Sequence, residues 1–329
     1  MTRSRAVGPA EPNAVLLRER SLAAVVRRQW LATRPAFLTA SMLPVLVGSA
    51  WGYRISHRFD ALSFALALLA TLLVHAASNV LNDVGDDIGG TDNMNDERIF
   101  PYTGGSRFIQ NGVMSAGEMK TWGITLLLLA LVPGAALAWL HGPTVLVFGA
   151  IGIVLGVLYS LPKVQLSARG LGETAVAAAF GLLPVVGAAW LQSGVIDAAS
   201  FAIALPVTFW VAAILLVNEV PDIRADAAAG KYTLVVRYGV PATRRLYAAI
   251  QVAAILAFIA CGVFALIPWW LGLAALLLLP QLRTGVRSIC DVREDRARLT
   301  RAIETTLALH LTGSLLLVSA VLIARFVMP

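Results

Sequence analysis

Residues 79–97 read NVLNDVGDDIGGTDNMNDE, six carboxylates and four asparagines in nineteen positions, directly behind the almost uncharged ALSFALALLATLLVHAAS of residues 61–78. So abrupt a change from oil to acid marks the end of a membrane-crossing helix. The rest of the chain follows the same plan: of 329 residues 58% are hydrophobic and only 14% charged, too apolar for a soluble domain. Windows of about 20 apolar residues, the length that crosses the hydrocarbon core, lie near 37–55, 61–81, 121–141, 144–162, 173–192, 199–220, 246–266, 268–289 and 305–326. The expected fold is all-α, a polytopic bundle of nine transmembrane helices with a cytoplasmic cap. The 268–289 window is the most interrupted, by Pro280, Arg283 and Arg287.

Charge sets the orientation. Assigned to alternate sides of nine spans, twenty-three of the 26 Lys and Arg fall on the side of the N-terminus, and only Arg54, Arg58 and Arg325 on the other. Positive charge is retained in the cytoplasm, so a cell (inner) membrane location is expected, with the N-terminus and the acid-rich loops cytoplasmic. The net charge of +7 is spread over all the cytoplasmic segments, which points to topology rather than to nucleic acid. Residues 1–35 form a basic segment without the apolar core of a cleaved signal, and 36–329 form the membrane domain. Residues 13–32 mix apolar and Arg positions as an interfacial helix does; a tail that merely fixes topology has the same composition. Cys261 lies inside a span and Cys290 near a helix end, which gives no support to a disulfide or thiolate site.

His75, Asn79, Asn82 and Asp86 recur at i, i+4, i+7 and i+11, one face of a helix. A polar stripe cannot face lipid cheaply, so it faces the bundle interior or a water-filled cavity. Gly89 and Gly90 end the helix and let Asp92 fold back toward Asp86. A second stretch, NEVPDIRADAAAGKYTLVVRYG, repeats the pattern with Asn218, Asp222 and Asp226 at i, i+4 and i+8, kinked at Pro221. The sites at 79–92 and 218–226 make a short internal echo. Oxygen ligands without Cys or His suit a hard cation: Mg²⁺ takes one or two carboxylates, keeps waters and completes its shell with phosphate oxygens. Arg107, Lys163, Arg169, Arg224 and Lys231 are the nearby cations available for the rest of the phosphate charge. Solvated helix caps are the bland alternative, but they do not explain stripes that continue into apolar spans. An EF-hand fails on spacing, because Met94 stands where a ligand is needed. TGGSR at 103–107 reads as an anion nest or as a plain turn; His141 and His310 read as turn and packing residues.

Asn82-x3-Asp86-x5-Asp92 and Asn218-x3-Asp222-x3-Asp226 resemble the two acid motifs of the UbiA-type intramembrane prenyltransferase superfamily. The long gap before Asp92, GGSR at 104–107, YSLP with RGLGE, GKYTLVVRYG, and RQWLATRPAFLTASMLPVLVG from residue 28 resemble the branch that prenylates 1,4-dihydroxy-2-naphthoate for menaquinone. In many relatives the last acid of the first motif falls where this chain has Gly90. Asp87 adds an acid that competes as a ligand, so the metal set is open among Asp83, Asp86, Asp87 and Asp92, with Asp86 the firmest of them.

The resemblance implies a polyprenyl diphosphate gripped by two Mg²⁺ ions on Asn82, Asp86 and Asp92 and on Asn218, Asp222 and Asp226. Lys163, Arg169, Arg107, Arg224 and Lys231 would neutralise the departing charge, and Tyr159 or Phe180 would face an allylic cation. An electron-rich aromatic acceptor then attacks, and the isoprenoid tail stays in membrane lipid or among the small residues Ala175–Ala179 and Gly181. Other acceptors used in the superfamily, 4-hydroxybenzoate, homogentisate, a porphyrin or a glycerol phosphate, share these motifs. A cation-coupled transporter would place its acids near mid-membrane, and a phosphatidyl-alcohol transferase would carry an Asp-Gly-x2-Ala-Arg signature that is absent here.

Overall fold

The computed structural model describes residues 11–13, 21–160 and 164–328, and every regular element among them is helical. Helix α1 (Leu22–Ala32) is capped by Ser21, whose Oγ accepts from the Ala24 amide at 3.3 Å. It exposes Leu22, Val26 and Trp30, a surface that suits the membrane interface. Arg34 in the left-handed region and a single 3₁₀ turn, Pro35–Phe37, then deliver the chain into α2 (Thr39–Ser56). There follow α3 (Ala61–Ile88), α4 (Ala116–His141), α5 (Thr144–Ser160), α6 (Gly172–Ser193), α7 (Ala198–Asn218), α8 (Leu234–Val263), α9 (269–288) and α10 (Arg296–Val327).

Seven helices are long and apolar enough to cross a membrane: α2 with its leading turn, α3, α4, α6, α7, α8 and α10. The chain is a multi-pass membrane protein. Two of the nine expected windows fall short of that standard among the described residues. The 144–162 window yields α5, apolar but 17 residues long. The 268–289 window yields α9 in three pieces, a turn of α-helix at Trp269–Gly272, a 3₁₀ stretch Leu273–Leu278 and an α-helix Leu279–Ser288. Pro280 stands in the first turn of the last piece, where its missing N–H costs nothing, so it starts a helix rather than interrupting one.

Small residues set the packing. A Cβ on Gly48 would lie 2.1 Å from the Val185 carbonyl oxygen, and one on Gly52 2.3 Å from that of Ala189. The α2 and α6 backbones therefore touch directly, as small-residue helix pairs do in lipid. Around this seam Trp51, Val185, Trp210, Phe258 and Leu317 are buried in one core shared by α2, α6, α7, α8 and α10. Helices α3 and α4 lie outside it, with Leu128, Val132 and Trp139 exposed for lipid. Both cysteines are buried and unpaired.

Polar ties join the interhelical loops at one end of the bundle. Tyr232 donates its amide to the Ala168 carbonyl at 2.9 Å. Arg224 bonds Asp291 at 2.7 Å and also pairs with Glu97, which Arg293 holds from the other side. The loops after α3, α5, α7 and α9 thus close over the end where the two acid motifs lie.

Candidate active site

Helix α3 runs unbroken for 28 residues and carries Asn82, Asp83, Asp86 and Asp87 on its last two turns. Its polar stripe faces inward as expected: His75 shares a 2.6 Å hydrogen bond with Ser41, Asn79 donates to the Thr33 carbonyl at 2.9 Å, and Asn82 donates to Asp86 Oδ2 at 2.8 Å. Gly89 caps the helix, Gly90 takes φ +79°, and a four-residue turn, Thr91–Met94, brings Asp92 back under the helix end.

The Gly-rich loop explains what Asp92 meets. Gly104 and Gly105 have φ +73° and +71°, and Ser106 donates its amide to Asp83 Oδ2 at 2.9 Å. A Cβ on Gly105 would lie 2.6 Å from Asp92 Oδ2 and 3.1 Å from Asp83 Oδ1. The TGGSR turn therefore wraps closely around the Asp83 carboxyl and holds it through the Ser106 amide. Arg107 donates to the Asp92 main-chain carbonyl at 2.5 Å and is itself buried; it positions Asp92 from behind.

The second motif is built differently from the expected kinked helix. Helix α7 stops at Asn218, residues 219–222 form a turn around Pro221, and a new short helix, Ile223–Ala228, carries Asp226. Proline supplies no N–H and clashes with the preceding turn, so the helix breaks. The Asp226 amide donates to the Asp222 carbonyl at 2.8 Å, which restores the one-turn spacing of the two acids.

Two side chains join the motifs. Asn95 Nδ2 donates to Asp222 Oδ1 at 2.7 Å, and the Lys231 ammonium bonds Asp86 and lies 4.0 Å from Asp226. Burial, reinforced by the charges of Asp86 and Asp83, pushes the Asp92 carboxyl up to about 7. Asp226 is raised to about 8, again by burial, with Lys231 opposing and Asp222 assisting. Burial alone would lower Lys231; Asp86 and Asp226 outweigh it and hold the ammonium above its ordinary value.

The donor set fits a magnesium ion. Asp83 Oδ1, Asp92 Oδ2, Asn95 Oδ1 and Asn218 Oδ1 are buried without a hydrogen-bond partner, and a buried acceptor left so is costly. No three acidic, His or Cys side chains among the described residues converge closely enough to hold an ion by themselves. That is the economy expected of Mg²⁺, which relies on few carboxylates, water and phosphate oxygens.

Of the other residues singled out from sequence, Tyr159 lies with its hydroxyl among the charges of Glu219, Asp86, Glu173 and Asp226. Phe180 packs against His75 with the ring planes tilted by 41° and the centroids 4.7 Å apart, from a π-helical turn, Ala177–Leu182, in α6; such turns recur at functional sites. Lys163 falls outside the described residues. Arg169 is exposed on the loop beside Tyr232 and Arg237. Arg224 is not brought to the acids of the motifs: Glu97 and Asp291 engage its guanidinium.

Four features escape the sequence reading. Asn95 lies within the quoted stretch but off the stripe. Arg34, 3.9 Å from Asp83, is donated by the left-handed turn before α2. Glu173 and Glu219 are buried, and burial followed by Glu173 raises Glu219 well above the usual carboxylate range. Acids inside otherwise apolar helix ends were the available signal for the last pair.

Residues 41–303 match the UbiA prenyltransferase family. The 1,4-dihydroxy-2-naphthoate octaprenyltransferase of Haemophilus influenzae is 34% identical over 73% of this chain and 78% of its own length. The Escherichia coli enzyme of the same name is 31% identical over 86% and 92%. A UbiA homolog from Archaeoglobus fulgidus, solved bound to DMAPP and Mg²⁺, superposes with a TM-score of 0.62 at 19% identity, covering 89% of this chain and 99% of that one. Two acid motifs on a bundle of apolar helices, with that match across most of its length, make this chain a member of the UbiA prenyltransferase family.

Proposed function

We propose that the chain transfers a prenyl group from a polyprenyl diphosphate to a ring carbon of 1,4-dihydroxy-2-naphthoate in menaquinone biosynthesis. The observation that carries this reading is the meeting of two acid motifs, tied by Asn95 and Asp222 across 127 residues, around the ammonium of Lys231. The names of the Haemophilus and Escherichia relatives support the naphthoate acceptor. The DMAPP and Mg²⁺ in the Archaeoglobus homolog support a diphosphate held through magnesium.

Asn82, Asp86 and Asp92 would hold one Mg²⁺ and Asn218, Asp222 and Asp226 a second. Bound there, magnesium supplies positive charge against the developing diphosphate. Lys231, fixed at the junction by Asp86 and Asp226, would reach phosphate oxygens, joined by Lys163 and Arg169. Such preorganised cations act most strongly where charge grows during reaction. Arg107 works through the Asp92 carbonyl, and Arg224 through the loop it ties. As the allylic C–O bond breaks, its electron pair leaves with diphosphate; Tyr159 and Phe180 present π-faces to the electron-poor carbon and exclude water. A ring carbon of the acceptor supplies the new C–C bond, and the acceptor carboxylate departs as CO₂.

In this reading α5 and α9 complete nine passages. The N-terminus and the acid-bearing loops, which form a cap, lie at the cytoplasmic face of the cell (inner) membrane, where twenty-three of the 26 Lys and Arg would then stand. Residues 1–35 form the basic lead segment and 36–329 the catalytic domain.

The test is direct: purified protein in detergent, radiolabelled farnesyl diphosphate and dihydroxynaphthoate, with Mg²⁺ or with EDTA. Label should enter a prenylated naphthoquinol, recovered as the naphthoquinone after oxidation in air, only with Mg²⁺. A preparation that binds the diphosphate yet transfers nothing to the naphthoate would refute the acceptor.

A further inference from the structure

Residues ahead of α1 are tied to the loop after α3. Glu11 accepts a bidentate pair of hydrogen bonds from Arg98, Nε to Oε1 at 2.9 Å and Nη2 to Oε2 at 3.1 Å. Asn111 donates to the Pro12 carbonyl at 2.9 Å and to Glu11 Oε2 at 3.3 Å. A basic tail that only fixes topology has no use for a carboxylate seated on this loop.

Arg98 carries the contact onward. Its remaining nitrogen, Nη1, donates to the Asn95 carbonyl at 2.6 Å, and Arg296 at the start of α10 donates to the Arg98 carbonyl. Its stem lies against Gly104, where an added Cβ would come 2.6 Å from Arg98 Cβ. Arg98 thus spans the two parts of the loop that meet the acids: Asn95, which donates to Asp222, and the turn through Ser106, which holds Asp83. Ion pairs near the surface usually contribute little, but a bidentate Arg–carboxylate fork within a network fixes geometry. The guanidinium is planar, so seating its Nε–Nη2 edge on Glu11 sets where Nη1 points.

Resting on the prenyl-transfer reading above, we propose that Glu11 is a positioning residue of the active site, acting through Arg98 on Asn95 and through Asn95 on Asp222. Asn95 is the side chain that joins the two acid motifs, with its Oδ1 left buried and unpartnered beside them. Holding its main chain still is what Glu11 contributes. The lead segment then takes part in catalysis as well as in topology.

The test is a double-mutant cycle in the intact chain. Glu11→Ala should lower kcat for prenyl transfer about fivefold and leave KM for farnesyl diphosphate within about twofold. In an Asn95→Ala background the same substitution should cost less than about 1.5-fold, because the tie to Asp222 is already gone. Hydrogen exchange gives a second readout: in Glu11→Ala the peptide over residues 95–106 should take up deuterium about threefold faster, while peptides from α2 and α7 keep the wild-type rate. Full activity in Glu11→Ala, equal losses in the two backgrounds, or unchanged exchange at 95–106 would each overturn the inference. A Glu11→Ala chain that fails to fold would overturn it too, since the segment would then be supporting the bundle rather than the loop. A wild-type enzyme that leaves the naphthoate unprenylated while the exchange difference persists would refute the acceptor reading and leave this inference standing.

Discussion

Gly105→Ala tests the close turn around the carboxylates. At φ +71° an alanine pays the left-handed penalty, about 1–2 kcal/mol. Its Cβ would also lie 2.6 Å from Asp92 Oδ2, well inside the 3.4–4 Å of ordinary contact. Asp83 is held by the Ser106 amide and Asp92 by Arg107 through its carbonyl, so the Asp92 carboxylate is what must move, by roughly 1 Å. A displacement of that size in a positioned group costs on the order of 100-fold in rate, or about 2.7 kcal/mol. Gly112→Ala is the control, since it sits at φ +65° with nothing within 4 Å. The two variants share the backbone penalty and differ only in the collision. In an assay of prenyl transfer in detergent, Gly105→Ala should lose about 100-fold in kcat/KM while Gly112→Ala stays within about threefold. Equal activity in the two would refute the claim that Asp92 works from this position.

Lys231→Met removes the ammonium shared by Asp86 and Asp226, and farnesyl diphosphate binding, read by equilibrium titration, should weaken about 10- to 100-fold. Asn95→Ala cuts the 2.7 Å tie to Asp222 and should lower kcat/KM about tenfold with little change in Tm. Protons compete with metal at Asp92 and Asp226, raised to about 7 and 8. Both bind a proton below those values, so the Mg²⁺ needed for half-maximal activity should rise as pH falls from 8.5 to 6, and a flat profile would contradict the assignment. Arg224→Ala should leave KM for the diphosphate within about threefold, because its partners are Glu97 and Asp291, partly exposed pairs worth about 1 kcal/mol or less; a large KM effect would return Arg224 to the site.

The sequence exposed the site's halves better than their joining. Spacing alone put His75, Asn79, Asn82 and Asp86 on an inward face, because a helix has one period and lipid tolerates no polar stripe. It could not tell that Pro221 breaks the chain rather than bending it, since both outcomes leave Asp222 and Asp226 one turn apart. Among the basic residues, Lys231 and Arg224 look alike in sequence; only tertiary folding sends one to Asp86 and the other to Glu97. The glycines at 104 and 105 left open a nest or a plain turn and gave no sign that the loop would close on Asp83, twenty-odd residues earlier. At 268–289 the chain is helical in three pieces, and Pro280 reads as an interruption until its place in the first turn of a new helix is seen.

Helix α3 has a consequence for how substrate arrives. Its 28 residues span about 42 Å at 1.5 Å per residue, against a hydrocarbon thickness of about 30 Å. The excess of about 12 Å is enough to carry the last two turns, with Asp86, to headgroup depth. A polyprenyl diphosphate carries its anionic head at that same level while its tail remains dissolved below. Encounter is thus a search in two dimensions, with the relevant concentration counted per area of bilayer, and the donor is never lifted out of the leaflet that stores it.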